Sequence, residues 1–238
     1  ANLLSGCVMA TVVGIVVFGG LQRVAKVAVT LLPLMIITYL GMTLYLLLLH
    51  SDRLPGLLAS IVTGAFNPQA VGGGLVGVIL IGVSRGVFSN EAGVGTEVMA
   101  HGAARTNEPV REGLVAMLGP VADTLIVCTC TALVILLAGT WQDPGNLSGI
   151  TLTANAFRQD LGSLGSGLLL FVTLILASTT MFTMWYYGAK CFGFLFGARL
   201  QHYYRWFFVL AVIFGASVSI DIVFNLISGS YGLMAIPT

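Results

Sequence analysis

Apolar runs long enough to cross a bilayer recur along this chain, separated by short stretches where Arg, Lys, Asp, Gly and Pro collect. A spanning helix needs about 20 apolar residues. On that measure the pattern predicts spans at residues 3–20, 27–49, 113–138, 166–187 and 206–219. A further segment begins near Phe224, after a turn around Asp221. Pro33 interrupts the second span. Asp52, Arg53, Pro55, Pro68 and several glycines mark the next stretch as a loop holding a short interfacial helix at 55–66. The remaining loops are 101–111, 139–165 (with a helical patch at 151–161 carrying Arg158 and Asp160) and 188–205.

One apolar segment, residues 74–100, breaks the pattern. Its later part reads GVSRGVFSNEAGVGTEVMAHGAAR, with Arg85, Asn90, Glu91 and Glu97 set among Gly86, Gly93 and Gly95. A helix in hydrocarbon must satisfy its own backbone. Glycines and charges at mid-depth are tolerated only where the chain faces protein or a wet cavity. The segment therefore predicts a broken helix, its first half ending near Ser89 and its second beginning near Gly95. Such breaks near the midplane are the binding device of secondary transporters. Unwound carbonyls serve cations and amine groups, and the N-terminus of the second half-helix serves anions.

Composition agrees with this pattern. The chain is 57% hydrophobic and 8% charged, against about a quarter charged in soluble domains. It reads as all-α, a polytopic helical membrane protein. A net charge of +1 offers no argument for nucleic acid or an acidic partner. Cys7, Cys128, Cys130 and Cys191 lack metal-site spacing and read as small packing residues. His50, His101 and His202 are scattered near loops, so no ligand pair suggests a membrane enzyme. No cleavable signal is visible. The opening within an apolar run and the ending just inside another suggest a piece of a longer transporter: about six full spans and the start of a seventh, as one transmembrane region over residues 1–238. The basic residues sort by side. Arg23, Lys26, Arg105, Arg111, Lys190, Arg199 and Arg205 fall in loops 21–26, 101–112 and 188–205; Arg53 and Arg158 fall opposite. The positive-inside rule makes the first group cytoplasmic, in a cell inner (plasma) membrane.

The sequence RGVFSNEAGVG at 85–95, followed by AHGAA, PVREGL and DTLIVCTCTALVILL, resembles the alanine or glycine:cation symporter family of bacteria and archaea. A weaker likeness runs the length of the chain. The resemblance implies a leucine-transporter-type fold of two inverted five-helix repeats. These segments would be its helices four to ten, the last incomplete and the first three lacking. It also implies symport of a small neutral amino acid such as alanine or glycine, coupled to a monovalent cation, sodium or a proton, with no cofactor and no enzymatic activity.

Candidate site residues follow from both readings. The unwound stretch Ser89, Asn90, Glu91, Gly93 and Gly95 would bind the amine group of the substrate, a cation, or both, with Asn90 adding a side-chain oxygen. Arg85 and Glu91 form either a gate or a structural pair; Glu91 could also carry a proton. Asp123 could ligate a cation, pass a proton, or accept a hydrogen bond from a neighbouring helix. Ser178, Thr179 and Thr180 carry oxygens that suit a hard cation. Taken alone, they more simply bond the carbonyl one turn back. The resemblance reverses that preference, because in this fold eighth-helix hydroxyls complete a sodium site and residues 166–187 correspond to that helix. The family commonly has Gly-Trp shortly before its Tyr-Tyr-Gly, and a Glu after it. Here those places hold Thr183, Met184 and Ala189, and Trp185 is displaced by one residue, about 100° around a helix. Thr180 and Met184, four apart, would share the pocket wall. For Trp185 and the tyrosines the plainer role is an interfacial aromatic belt. A channel or a non-transporting scaffold of the same helical class is the competing function. A channel would carry a repeated filter or ring motif, and none is found.

Overall fold

The computed structural model describes residues 2–66, 77, 79–83, 85–86, 89, 91, 94–142, 145 and 149–235. The described residues are helical, with no strand among them. The helices are α1 (Asn2–Val17), α2 (Leu21–Leu49), α3 (Leu54–Ala65), α4 (Thr96–His101), α5 (Pro109–Ala138), α6 (Ile150–Phe196), α7 (Tyr204–Ser217) and α8 (Ile220–Ala235). Residues 77–89 are helical wherever described. Three helices among the described residues are long and apolar enough to cross a membrane: Gln22–Leu49, Pro109–Ala138 and Ile150–Phe196. Leu3–Val17, Leu54–Ala65 and Ile222–Met234 are shorter apolar helices. Large apolar side chains lie exposed along nearly all of them, as Leu4, Ile37, Leu125, Leu170 and Phe214 do. In water such faces would be a liability; in lipid they are the expected surface.

The chain divides into two compact units. The first comprises Ala1–Ile36, Val94–Ala103 and Thr173–Thr238. Here α1 packs along α7. The contact is close because small residues face each other: a Cβ on Gly6 would lie 2.5 Å from that of Ala216, the close approach typical of membrane helix pairs. Phe18 and Trp206 close the other end, with ring centroids 4.7 Å apart. Val13, Val16, Val17 and Val24 bury against Phe182, Trp185 and Ala189 of α6. Gly6→Leu should therefore push α1 off α7 and destabilise the fold by about 1–3 kcal/mol, the usual cost of overpacking. Gly41→Leu, with nothing within 4 Å, should be close to neutral. Thermal unfolding in detergent compares the two, and equal midpoints would refute the α1–α7 packing.

The second unit comprises Ile37–Gly93 and Ala104–Val172. Its core holds Tyr39, Met42, Thr43, Leu46, Val134, Ala156 and Phe157. Buried hydroxyls there need partners. The Thr131 hydroxyl donates to the Val127 carbonyl at 2.8 Å, so the Tyr39 hydroxyl donates to Thr131. Thr43 donates to the Tyr39 carbonyl at 2.8 Å. His50 Nε2 and Asp160 Oδ2 meet at 3.1 Å.

Several boundaries differ from the sequence expectation. The first loop is only a turn ending at Gly20, whose φ is +79°. Arg23 and Lys26, placed in a loop at 21–26, occupy the first turns of α2. Arg23 Nη1 donates back to the Ile15 carbonyl at 3.1 Å, satisfying an otherwise orphaned acceptor near the end of α1. Pro33 sits inside α2 without ending it. The patch at 151–161 and the span at 166–187 are one element, α6, jointed at Gly162 (φ 62°, ψ −146°). α6 also runs nine residues past Tyr187, to Phe196, taking up half of the expected loop 188–205. Gly188 permits this, because a Cβ there would collide with Tyr204. Finally, the turn before the last segment falls at extended Val218, not around Asp221, which lies in the first turn of α8.

Candidate functional site

The break in the third apolar segment is visible in its described residues. Ser89 is still helical; Glu91 is not, and its φ is +58°. Val94 and Gly95 form a bend, with Gly95 at φ +92°, before α4 resumes at Thr96. A positive φ is routine for glycine but rare for glutamate, and such outliers gather at functional sites. Asn90 and Gly93, the other candidates in this stretch, lie outside the described residues. Arg85 is exposed and Glu91 half-buried.

Beside the break, within the second unit, stands Asp123. The Ser89 hydroxyl donates to Asp123 Oδ2 at 2.8 Å and lies 3.9 Å from Cys128 Sγ. Both partners belong to one irregular stretch of α5. That helix opens as α at Pro109–Ala116, passes through Leu118–Pro120 and becomes a π-helix over Val121–Cys128 before returning to α at Thr129. Pro120 supplies a cause, since it has no N–H for the preceding turn. In a π-helix, with its i→i+5 hydrogen bonds, side chains five apart lie nearer one face than in an α-helix, where they point about 140° apart. Asp123 and Cys128 are five apart, so the π segment turns both toward Ser89. Sequence reasoning had Asp123 as a cation ligand, a proton carrier or a structural acceptor. The structure makes it an acceptor and leaves its carboxylate half-buried. The hydrogen-bonded carboxylate and hydroxyl offer oxygens of the kind that hard cations take. Cys128 was read as mere packing; the π segment that brings it here has no signature in residue spacing beyond Gly119-Pro120.

The α6 candidates belong to the first unit. Ser178 Oγ donates to the Leu174 carbonyl at 2.7 Å. Thr179 Oγ1 lies 3.0 Å from the carbonyls of both Ile175 and Leu176. These are the back-bonds that the residues alone suggest. They occupy the hydroxyl proton and leave oxygen lone pairs for a further partner. Successive helical residues fan apart by about 100°, so the three hydroxyls do not converge: Thr179 is buried, Ser178 half-buried and Thr180 exposed. Met184 is half-buried, its sulfur 3.9 Å from the Tyr231 hydroxyl of α8, a neighbour that sequence reasoning did not name. Trp185 corrects an expectation. It is no belt residue but 5% exposed, packed among the α1 valines, and its Nε1–H has no acceptor among the described residues.

Comparison with known proteins gives these features a context. The chain matches the model of the sodium:alanine symporter family over residues 1–238. It is 38% identical to the sodium/alanine symporter AgcS of Methanococcus maripaludis over 239 residues, covering 99% of this chain and 52% of that protein. It is 36% identical to the probable sodium/glutamine symporter GlnT of Bacillus subtilis over 237 residues, 99% of this chain and 49% of that protein. A transporter of Haemophilus influenzae is 38% identical over 241 residues, covering 99% and 53% respectively. The chain thus spans about half the length of the curated relatives it matches. With a match across its whole length, several apolar helices and an interrupted span, this multi-pass membrane chain belongs to the sodium:alanine symporter family.

Proposed function

We propose that the chain forms part of a symporter that couples uptake of a small neutral amino acid to entry of sodium. The observation that carries this reading is the interrupted helix at Glu91–Gly95 with Asp123 hydrogen-bonded to Ser89 beside it. The stretch after helical Ser89, with Asn90, Glu91, Gly93 and Gly95 as its candidate residues, takes the substrate's amine group, and Thr180 and Met184 line the pocket. Asp123, Asn90 and the hydroxyl of Thr180, with that of Thr179 or Ser178, serve the cation, with Arg85 and Glu91 as gate or structural pair. Relatives are named for alanine and for glutamine, and Met184 in place of the family's Trp leaves room for a side chain longer than methyl. The whole transporter carries this activity, and these segments form part of its helical bundle. The loop at 102–108 and the turn at 197–203 after the basic end of α6, with the turn at 18–20 and the basic start of α2, face the cytoplasm across the plasma membrane.

Proton coupling is the second reading, favoured by the half-buried carboxylates Glu91 and Asp123 in an apolar chain. Proteoliposomes holding the full-length protein separate the two. Uptake of labelled alanine, glycine and glutamine should collapse when choline replaces external sodium; uptake that persists and follows a proton gradient selects the second reading. No uptake of any neutral amino acid under either gradient would refute the symport assignment. Within the sodium reading, Thr180→Val keeps the shape and removes one oxygen, a loss of about 1–3 kcal/mol. It should raise the sodium concentration for half-maximal uptake roughly ten-fold. An unchanged sodium response in both Thr179→Val and Thr180→Val would remove α6 from the ion site. For sidedness, Thr106→Cys in a cysteine-free background should resist an impermeant thiol reagent on intact cells. Ready labelling would reverse the orientation.

A further inference from the structure

The first unit holds a second polar feature, remote in sequence from the interrupted helix. Where α6 ends and α7 begins, the chain turns through Gly197–Arg199 and a short 3₁₀ turn at Leu200–His202. A cleft of about 340 Å³ opens there, lined by Trp185, Tyr186, Lys190, Gln201, His202 and Arg205 among others. That volume lies at the small end of ligand pockets, which run about 300–1,000 Å³. Three lining groups, Lys190, His202 and Arg205, carry or can carry positive charge, none is a carboxylate, and Gln201 adds an amide. Among the described residues no carboxylate lies within ion-pair reach of Lys190, His202 or Arg205. The sequence makes that scarcity systematic: residues 161–220 contain no Asp or Glu. Lys190 is held over the Tyr186 ring, its Nζ 5.6 Å from the centroid, so the cation is posed at the cleft and not merely solvated. Cations left uncompensated at the end of two apolar helices repel one another unless an anion joins them.

We propose that this cleft is a phosphoryl-anion site. A lysine offers a compact point charge, an arginine a planar fork that matches phosphate oxygens, and the imidazole and amide add neutral donors. The phosphodiester headgroup of an anionic phospholipid is one source of that chemistry, since basic pockets between membrane helices take such headgroups. A free phosphate group is the other. Arg199 lies in the same turn but not among the lining residues, so it reports what loop charge alone does.

The test uses the natural full-length protein in mild detergent. Native mass spectrometry with phosphatidylglycerol, and separately with phosphatidylcholine, reads lipid retention. Thermal unfolding in inorganic phosphate against chloride at equal ionic strength reads the free anion. Lys190→Gln with Arg205→Gln should weaken phosphatidylglycerol binding roughly ten-fold or more, about five-fold per cation. Arg199→Gln should leave it unchanged, and phosphatidylcholine should bind weakly throughout. Stabilisation by inorganic phosphate, lost in the double variant and kept in Arg199→Gln, without lipid preference, supports the site and assigns it to the free anion. Lys190→Arg with Arg205→Lys keeps the charges and should keep binding, which separates lost charge from lost fold. If the double variant does not fold, Lys190→Gln alone, at an exposed residue, carries the comparison. Equal loss in Arg199→Gln, or no preference for either anion in the wild type, overturns the proposal and leaves these cations as topology signals.

Discussion

Replacing Asp123 by asparagine should lower cation-driven uptake by about ten- to a hundred-fold. Asparagine has nearly the same volume, and its amide oxygen can still accept from the Ser89 hydroxyl, now 2.8 Å from the carboxylate. The π segment over Val121–Cys128 is therefore undisturbed, and only the charge is lost. A polar contact to a charged group contributes about 1.5–3 kcal/mol, which converts to roughly one to two decades in an equilibrium constant. If Asp123 serves sodium, the loss should appear as a higher sodium requirement with the maximal rate largely kept. If it carries the coupling proton, uptake should vanish at every sodium concentration, along with its pH dependence. Ser89→Ala should have a smaller effect, because it removes one neutral donor and leaves the carboxylate. Wild-type uptake and ion response in Asp123→Asn would reduce the residue to a structural acceptor.

The ordering of the apolar helices was legible because hydropathy over twenty residues averages out local irregularity. Their ends were less so. Arg23 and Lys26 read as loop by polarity, yet α2 begins before them, since long basic side chains on a helix end can reach water. Residues 188–196 read as loop through Gly188 and Lys190, but the aromatic residues that follow continue the helix, with Phe192 stacked on Tyr204 at 5.4 Å. In the candidate site, the glycines around Glu91 announced an interruption within one segment. The Ser89–Asp123 contact joins residues 34 apart and depends on a π-helix, a backbone state that side-chain periodicity does not encode. Trp185 illustrates a similar limit. Its place near a span end suggested the interface, and only the packing of α1 valines against α6 shows it to be core. Periodicity places a residue on a face; it does not say what that face meets.

Glu91 allows strain and function to be separated in one position. Its φ of +58° lies in the left-handed region, which costs an L-residue with a Cβ about 1–2 kcal/mol and glycine almost nothing. Glu91→Gly and Glu91→Ala both delete the carboxylate, so both should lose uptake, by about ten- to a hundred-fold if the group contacts substrate or ion with the strength of a charged hydrogen bond. They should differ in stability. The glycine variant relieves the strain and should unfold at a higher temperature than the alanine variant, by the equivalent of about 1 kcal/mol. Glycine would not be so favoured in a continuous helix, where it is worse than alanine by roughly the same amount. The sign of the difference thus reports the backbone state independently of transport. Glu91→Gln completes the set: it keeps the backbone demand and removes only the charge. Loss of uptake in glutamine, alanine and glycine variants, with glycine the more stable of the last two, is the expected result. An alanine variant more stable than glycine would mean that the helix runs unbroken through Glu91, and the binding role assigned to this stretch would fall with it.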